Sequence, residues 1–305
     1  MKDIPLIVTE QKALKVSILA NLVMAFSGWI TYYLSGSEAL LLDGNLSFIL
    51  FLSSIVALRL TRVKAQVSDD FPFGKFAGES MYTLFKGIMI LGVLLSSITT
   101  NVGKIIGYAE GEPTPQLIIG PIMIYTLAMV VICLGLAVYY RNENRKVQYN
   151  SMLLEAETKS SLVDGVLSAA IGVALIAIEF VDINGPAGFL HYIGDAIVVV
   201  ILGVVMLPQP TDLIRCAFHE LMGGSLKDED EQKEIDTTIR GLLSDRDIQC
   251  EELLAMKVGS SYLIIVCFTA EVFKYKSDDL VEVRKEILSS LCKTRSFVDL
   301  ELVLD

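Results

Sequence analysis

Residues 113–140 read PTPQLIIGPIMIYTLAMVVICLGLAVYY, 28 positions without a charged side chain. About 20 predominantly apolar residues cross the hydrocarbon core of a bilayer, so this stretch alone points to a membrane-spanning helix. Working outward from it, further charge-free runs cover 16–37, 44–58, 87–103, 165–178 and 196–211, and with their flanks each reaches that length. Six spans are expected, near 14–34, 38–58, 79–103, 116–140, 152–178 and 187–207. The composition agrees. Of the 305 residues 53% are hydrophobic and 20% charged, and the mean hydropathy of +0.56 exceeds what a water-soluble globular domain tolerates. The first span is too long for a cleaved signal and lacks a small-residue cleavage site followed by a soluble domain.

The formal charge is −11, which works against a nucleic-acid partner, whose phosphates call for a basic surface. Most of the surplus acid lies in 211–305, with 20 acids against 12 bases. That division predicts two domains, a six-helix transmembrane domain over 1–210 and a cytoplasmic C-terminal domain over 211–305. Segments 1–15, 59–75 and 141–159 hold eleven Lys or Arg, whereas the opposite loops hold only Lys104. The asymmetry puts the N-terminus in the cytoplasm, and an even number of spans brings the C-terminus there too. Five Cys, at 133, 216, 250, 267 and 292, form no C-x-x-C pair, so neither a disulfide framework nor a zinc knuckle is expected.

The C-terminal region has the rhythm of an α+β domain. Helical spacing of Ile235, Ile239 and Leu242 in 228–243 follows an acidic start, which suits a helix N-terminus. Two β-rich runs, 251–258 and 261–272, flank Gly259-Ser260, a hairpin turn. A helix over 278–293 and a strand over 297–304 complete αββαβ, of ferredoxin-like type. About 80 residues make a modest core, so docking to a second copy, and hence a homodimer, is expected.

Polar residues inside the spans are where function is sought, because a charge in hydrocarbon is costly. Asp43 lies in span two within ALLLDGNLS (39–47), and Asp164 in span five within AETKSSLVDG (156–165). Each has a Ser four residues away on the same helical face, Ser47 after Asp43 and Ser160 before Asp164. A bland reading stands beside this one: an Asp near a span end is often solvated, and a Ser in a span commonly bonds its own i−4 carbonyl. Counting along the helices puts Asp43 about five residues, and Asp164 about fourteen, from the outer ends of their spans, the latter roughly 21 Å. Tilt and an extended fifth helix would reconcile these depths.

With these residues in place the chain resembles the cation diffusion facilitator (cation efflux) family, as a divergent member, and the resemblance covers nearly its whole length. It implies six spans, a cytoplasmic αββαβ domain, a homodimer, and exchange of divalent metal for protons. It also implies a site built from Asp-x-x-x-Asp in span two and His- or Asp-x-x-x-Asp in span five. Asp43 and Asp164 stand at retained positions, while Ser47 and Ser160 replace a carboxylate and an imidazole or carboxylate. SEALLLDG (37–44) looks like the family's entry to span two and DDFPFGKFAGES (69–80) like its loop into span three. That loop departs at Lys75 and Ala77, which puts an accessory metal site there in doubt.

The resemblance thus implies metal binding by Asp43, Asp164, Ser47 and Ser160, with Asn45 as a further donor if it turns inward. Two carboxylates and two hydroxyls make a hard, oxygen-only set, suited to Mn²⁺, Mg²⁺ or Fe²⁺ at least as well as Zn²⁺ or Co²⁺. Metal and protons competing for the same carboxylates would couple their flows in alternating access, in the cell membrane, with no resident cofactor. Two rivals remain open: a non-transporting membrane scaffold or sensor that has lost its metal site, and a carrier of another cation such as Na⁺. An enzyme is not expected, since the phosphate-loop, H-E-x-x-H and G-x-S-x-G patterns are absent.

The remaining polar groups have structural readings. Glu155, Glu157 and Lys159 suit a charged turn at the inner interface, or an entrance. Glu79 and Lys86 suit pairing across a dimer, or snorkelling. Asp228-Glu229-Asp230-Glu231 suits a solvated helix start. Asp195 matches a family position with a structural or gating part. The two histidines, His191 and His219, lie outside the tail proper, so a multinuclear zinc sensor in 228–305 is not expected.

Overall fold

A computed structural model describes residues 4–64, 66–71, 74–147, 152–246, 248–275, 277–295 and 297–304. Lys2, counted for orientation, and Pro72 and Phe73, quoted from the loop into span three, lie outside the described residues. In chain order the elements are α1 (Ile4–Ser35), α2 (Glu38–Val63), α3 (Ala77–Ala109), α4 (Ile119–Lys146), α5 (Met152–Glu179), α6 (Leu190–Met206), α7 (Pro208–Leu221), α8 (Glu229–Ser244), β1 (Glu252–Val258), β2 (Ser261–Phe268), α9 (Ala270–Tyr275), α10 (Ser277–Leu291) and β3 (Phe297–Leu304).

Among the described residues six helical stretches are long and apolar enough to cross a membrane: Val8–Ser35, Glu38–Leu60, Ala77–Ala109, Ile119–Lys146, Glu157–Glu179 and Leu190–Leu221. Between 17% and 44% of each most apolar window is buried. The rest turns outward, and side chains such as Leu19, Ile30, Leu127, Val131 and Val166 stand exposed. Apolar side chains on the outside are what hydrocarbon solvates. The last stretch runs past the expected end at 207 because α7 follows α6 after the single residue Leu207. Pro208 opens α7, where the missing N–H costs no helical bond.

The chain divides into two compact units: Met1–Thr61 with Lys86–Thr211, and Arg62–Phe85 with Asp212–Asp305. In the first unit, glycine permits the helix crossings that set the site. At Gly28 of α1 an added Cβ would stand 2.7 Å from the Gly44 Cα of α2, a distance at which the backbones must separate. On α5 an added Cβ at Gly172 would stand 2.8 Å from the Thr126 side chain of α4, and one at Gly165 3.1 Å from the Cys133 Cβ, where the neighbour must yield by a few tenths of an ångström. Small residues give close approach without a hydrophobic driving force between helices. Cys133 beside Gly165 and Thr126 beside Gly172 also fix α4 and α5 as antiparallel neighbours in register. Asp195 of α6 is fully buried at the start of α2, where it accepts from Ser37 Oγ (2.8 Å), Glu38 N (2.5 Å) and Ala39 N (3.3 Å). It caps that helix, satisfying donors that α2 cannot satisfy itself.

In the second unit, β1 and β2 pair antiparallel from Glu252↔Cys267 to Val258↔Ser261, and β2 pairs parallel with β3. Gly259, at φ +59°, and Ser260 make the turn. The order α8-β1-β2-α10-β3 matches the expected αββαβ. Strand β2 stops at Phe268, not 272, because the six-residue α9 begins at Ala270. The buried row of α8 is Ile235, Ile239 and Leu243, with Leu242 only partly covered. Asp228 caps α8 by accepting from Asp230 N (3.1 Å) and Glu231 N (3.0 Å), so the acidic run is a helix start.

Residues 62–85, expected within the 1–210 domain, pack with the second unit because its hairpin turn is bonded to them. Glu79 accepts from Lys64 Nζ (2.9 Å) and Ser260 N (2.8 Å), and Lys64 Nζ also reaches Ser260 Oγ (2.9 Å). Ser80 Oγ donates to Glu220 (2.6 Å) and accepts from Gly259 N (2.9 Å). Glu79 thus has its partner cation in its own chain.

Candidate functional site

The first unit holds a cavity of about 40 Å³, room for a cation and a few waters. Its polar lining is Asp43 and Ser47 from α2, Asp164 and Ser168 from α5, and Cys133 from α4. Helix periodicity explains the set. Leu42, Asp43, Leu46, Ser47 and Leu50 form one face of α2, and Asp164, Leu167, Ser168 and Ile171 one face of α5. The thioethers of Met24, Met129 and Met206 complete much of the wall.

Asp43 has a donor on a third helix. Tyr125 Oη of α4 donates to Asp43 Oδ2 at 2.6 Å. It occupies one oxygen and leaves Oδ1 for another partner. Tyr125, Met129 and Cys133 recur every four residues on α4, all buried at 4% exposure or less. Asp43 meets this stripe at its Tyr125 end, and Asp164 lies near its Cys133 end through the Gly165 contact. Both acids line this cavity, and Asp164 interacts electrostatically with Asp43.

Among the described residues no three His, Cys, Asp or Glu side chains are grouped closely enough to hold a metal ion. A cation here would draw on at most two of these groups, with hydroxyls and water completing its coordination. Ser168 is suited to this: it is 2% exposed, lines the cavity, and its Oγ has no hydrogen-bond partner.

The sequence-derived candidates separate in space. Asp43, Asp164 and Ser47 line the cavity. Ser160 does not; it is exposed, because the α5 wall begins at Asp164 and runs toward Ile171, leaving the preceding turn beyond its end. Ser168, four residues the other way, takes the place expected of it. Asn45 faces α1, where Trp29 Nε1 donates to its Oδ1 at 2.9 Å; two residues from Asp43 is more than half a turn around the helix. Glu157 accepts from Ser17 Oγ (3.3 Å), which also meets Asn21 (3.1 Å) and Ser54 (3.3 Å). Lys86 interacts electrostatically with Glu157 and Asp164. His191 and His219 each bond a backbone carbonyl, of Val181 and Ser225, at 2.8 Å.

The sequence reading assigned no place in the site to Tyr125, Met129, Cys133 or Ser168. Ser168 carried the same i+4 signal as Ser47. The α4 stripe carried a spacing of four inside the charge-free run from which the fold was read.

Comparison with known proteins follows the same direction. A family model, the cation efflux transmembrane domain, matches residues 14–222. The manganese efflux system protein MneS of Bacillus subtilis (strain 168) is 27% identical over 240 residues, covering 78% of this chain and 77% of that one.

Proposed function

The chain belongs to the cation efflux family, and from that premise we propose that it exports a divalent metal cation from the cytoplasm in exchange for protons, by alternating access around Asp43 and Asp164. The observation that carries the proposal is that these two acids, from helices far apart in sequence, line one cavity among the membrane helices. Two carboxylates match the charge of a divalent cation, and a buried charge is retained only where something offsets it. Tyr125 holds Asp43 with one oxygen free, and Ser47 and Ser168 supply neutral oxygens nearby.

Coupling follows from competition. Metal arriving from the cytoplasm displaces protons from Asp43 and Asp164, the helices rock, and protons from the far side displace the metal. No histidine is required for this exchange. The manganese exported by the relative makes Mn²⁺ the first cation to try. The assembly is a homodimer with both termini cytoplasmic, in keeping with the positive charge of the segments on that side. The test is uptake of Mn²⁺, Fe²⁺, Zn²⁺, Co²⁺, Cd²⁺ and Mg²⁺ into proteoliposomes with a pH-sensitive dye inside. At least one cation is expected to move with opposite proton flux; none moving, with protein correctly inserted, would overturn the proposal.

A further inference from the structure

The proposed exchange needs a route for the protons that metal displaces, and α5 carries a second acid in line with Asp164. Glu157, Ser161, Asp164 and Ser168 recur at i, i+4, i+7 and i+11, one stripe of the helix. Glu157 thus lies two turns, about 10 Å, from Asp164, toward the end of α5 flanked by Arg141, Arg145 and Lys146. Helices α1 and α2 meet it there with hydroxyls. Ser17 Oγ donates to Glu157 Oε2 (3.3 Å), accepts from Asn21 Nδ2 (3.1 Å) and lies 3.3 Å from Ser54 Oγ, while Ser54 Oγ donates to the Leu50 carbonyl (2.9 Å). Ser17, Asn21 and Ser54 are all buried. Buried hydroxyls between helices are ordinarily glue, but the hydrogens of this set do more. Ser17 has one hydrogen and two acceptors for it, Glu157 and Ser54. With Glu157 ionised, Ser17 donates to it and Ser54 to Leu50. With Glu157 protonated the order reverses: Glu157 donates to Ser17, Ser17 to Ser54 and Ser54 to Leu50, with Asn21 still donating to Ser17. Either form of the acid therefore keeps its bond to Ser17. The charges around it point the same way. Lys86 of α3 interacts electrostatically with both Glu157 and Asp164, and Tyr140 of α4 with Glu157. One cation facing two acids is balanced when one acid is ionised and the other protonated, so a proton moving between them leaves the buried charge unchanged.

We propose that Glu157 is a proton-carrying residue between Asp164 and the cytoplasm, taking the proton that metal displaces and passing it on, so that metal and proton use different groups on the loading side. This rests on the reading of Asp164 as a transport residue. As metal binds, the O–H bond of the Asp164 carboxyl breaks, the proton crosses to Glu157, and an O–H bond forms there. Two helical turns are too long for a direct hydrogen bond; water carries the proton across, past Ser161, which is buried midway on the same stripe. Glu157 then gives the proton to cytoplasmic water and regains the hydrogen bond from Ser17. With metal on Asp164, Lys86 is left to pair with Glu157.

The experiment uses the full chain in proteoliposomes and reads Mn²⁺ uptake at saturating metal, with Mn²⁺ affinity measured by calorimetric titration in detergent. Glu157→Gln is expected to keep its affinity within about twofold of native and to lose turnover by about tenfold or more. Lowering the pH on the loading side at saturating Mn²⁺ should slow the native chain, because a protonated Glu157 takes no second proton, and should leave Glu157→Gln nearly unaffected. Glu157→Asp should recover much of the turnover and the pH response. If Glu157→Gln fails to fold, Ser17→Ala decides the matter: it keeps the acid, breaks the chain to Ser54, and should lower turnover with affinity unchanged, native turnover there overturning the inference. Native turnover in Glu157→Gln, affinity lost in step with turnover, or a Glu157→Asp as slow as Glu157→Gln also overturns it. Failure of the underlying function looks different: Asp164→Asn would then transport as the native chain does. A silent Asp164→Asn beside native turnover in Glu157→Gln refutes the proton carrier alone.

Discussion

Replacing Tyr125 by Phe removes one hydroxyl and keeps the ring that packs in α4. The bond lost is the 2.6 Å donation to Asp43 Oδ2, and bonds to charged groups are worth about 1.5–3 kcal/mol net. If the hydroxyl serves to hold Asp43 with its free oxygen toward the cavity, that sum reappears as the cost of ordering the carboxylate when metal binds. At 1.4 kcal/mol per decade it corresponds to a roughly 10- to 100-fold weaker metal affinity. Calorimetric titration of purified protein with Mn²⁺ measures it, with thermal unfolding in the same detergent to confirm an intact fold. A double-mutant cycle sharpens the result: in an Asp43→Asn background, Tyr125→Phe should cost almost nothing, because the oxygen it positions no longer carries charge. A Tyr125→Phe protein binding metal within about twofold of native would refute the positioning argument. So would equal losses in both backgrounds, which would assign Tyr125 to general packing.

Two further outcomes concern the frame around the site. Asp195→Ala removes the acceptor of three donors at the start of α2, and a loss of about 3 kcal/mol is expected; a clear fall in the unfolding temperature checks it, and an unchanged one contradicts the capping role. Glu79→Ala removes the acceptor of Ser260 N and the partner of Lys64. Faster hydrogen exchange at the Gly259-Ser260 turn, with the strands β1 and β2 still protected, is the expected signature, and native protection at the turn would contradict it.

Much of the fold was legible because its strongest constraint acts on whole stretches. A helix in hydrocarbon must be apolar for about 20 residues, and a run such as 113–140 meets that condition regardless of which neighbours it finds. The turn at Gly259-Ser260 was equally local, since a left-handed φ favours glycine. Less legible were features set by contact between helices. Ser160 and Ser168 stand symmetrically about Asp164 in sequence, and only the end of the cavity separates them. Tyr125 looks like a core residue of an apolar span; the carboxylate across from it gives it its role. Residues 62–85 read as a loop and a helix start, and it is the bonds of Lys64, Glu79 and Ser80 to the distant hairpin turn that assign them to the second unit.

The central claim is that Asp43 and Asp164 together carry the cation and couple it to protons. Its most direct test is simultaneous recording of Mn²⁺ uptake and proton release in proteoliposomes containing the native chain, Asp43→Asn or Asp164→Asn, with equal protein inserted. Native protein should move both ions in opposite directions, and each single variant should lose both fluxes. Metal and proton fluxes that persist undiminished in both variants would contradict it.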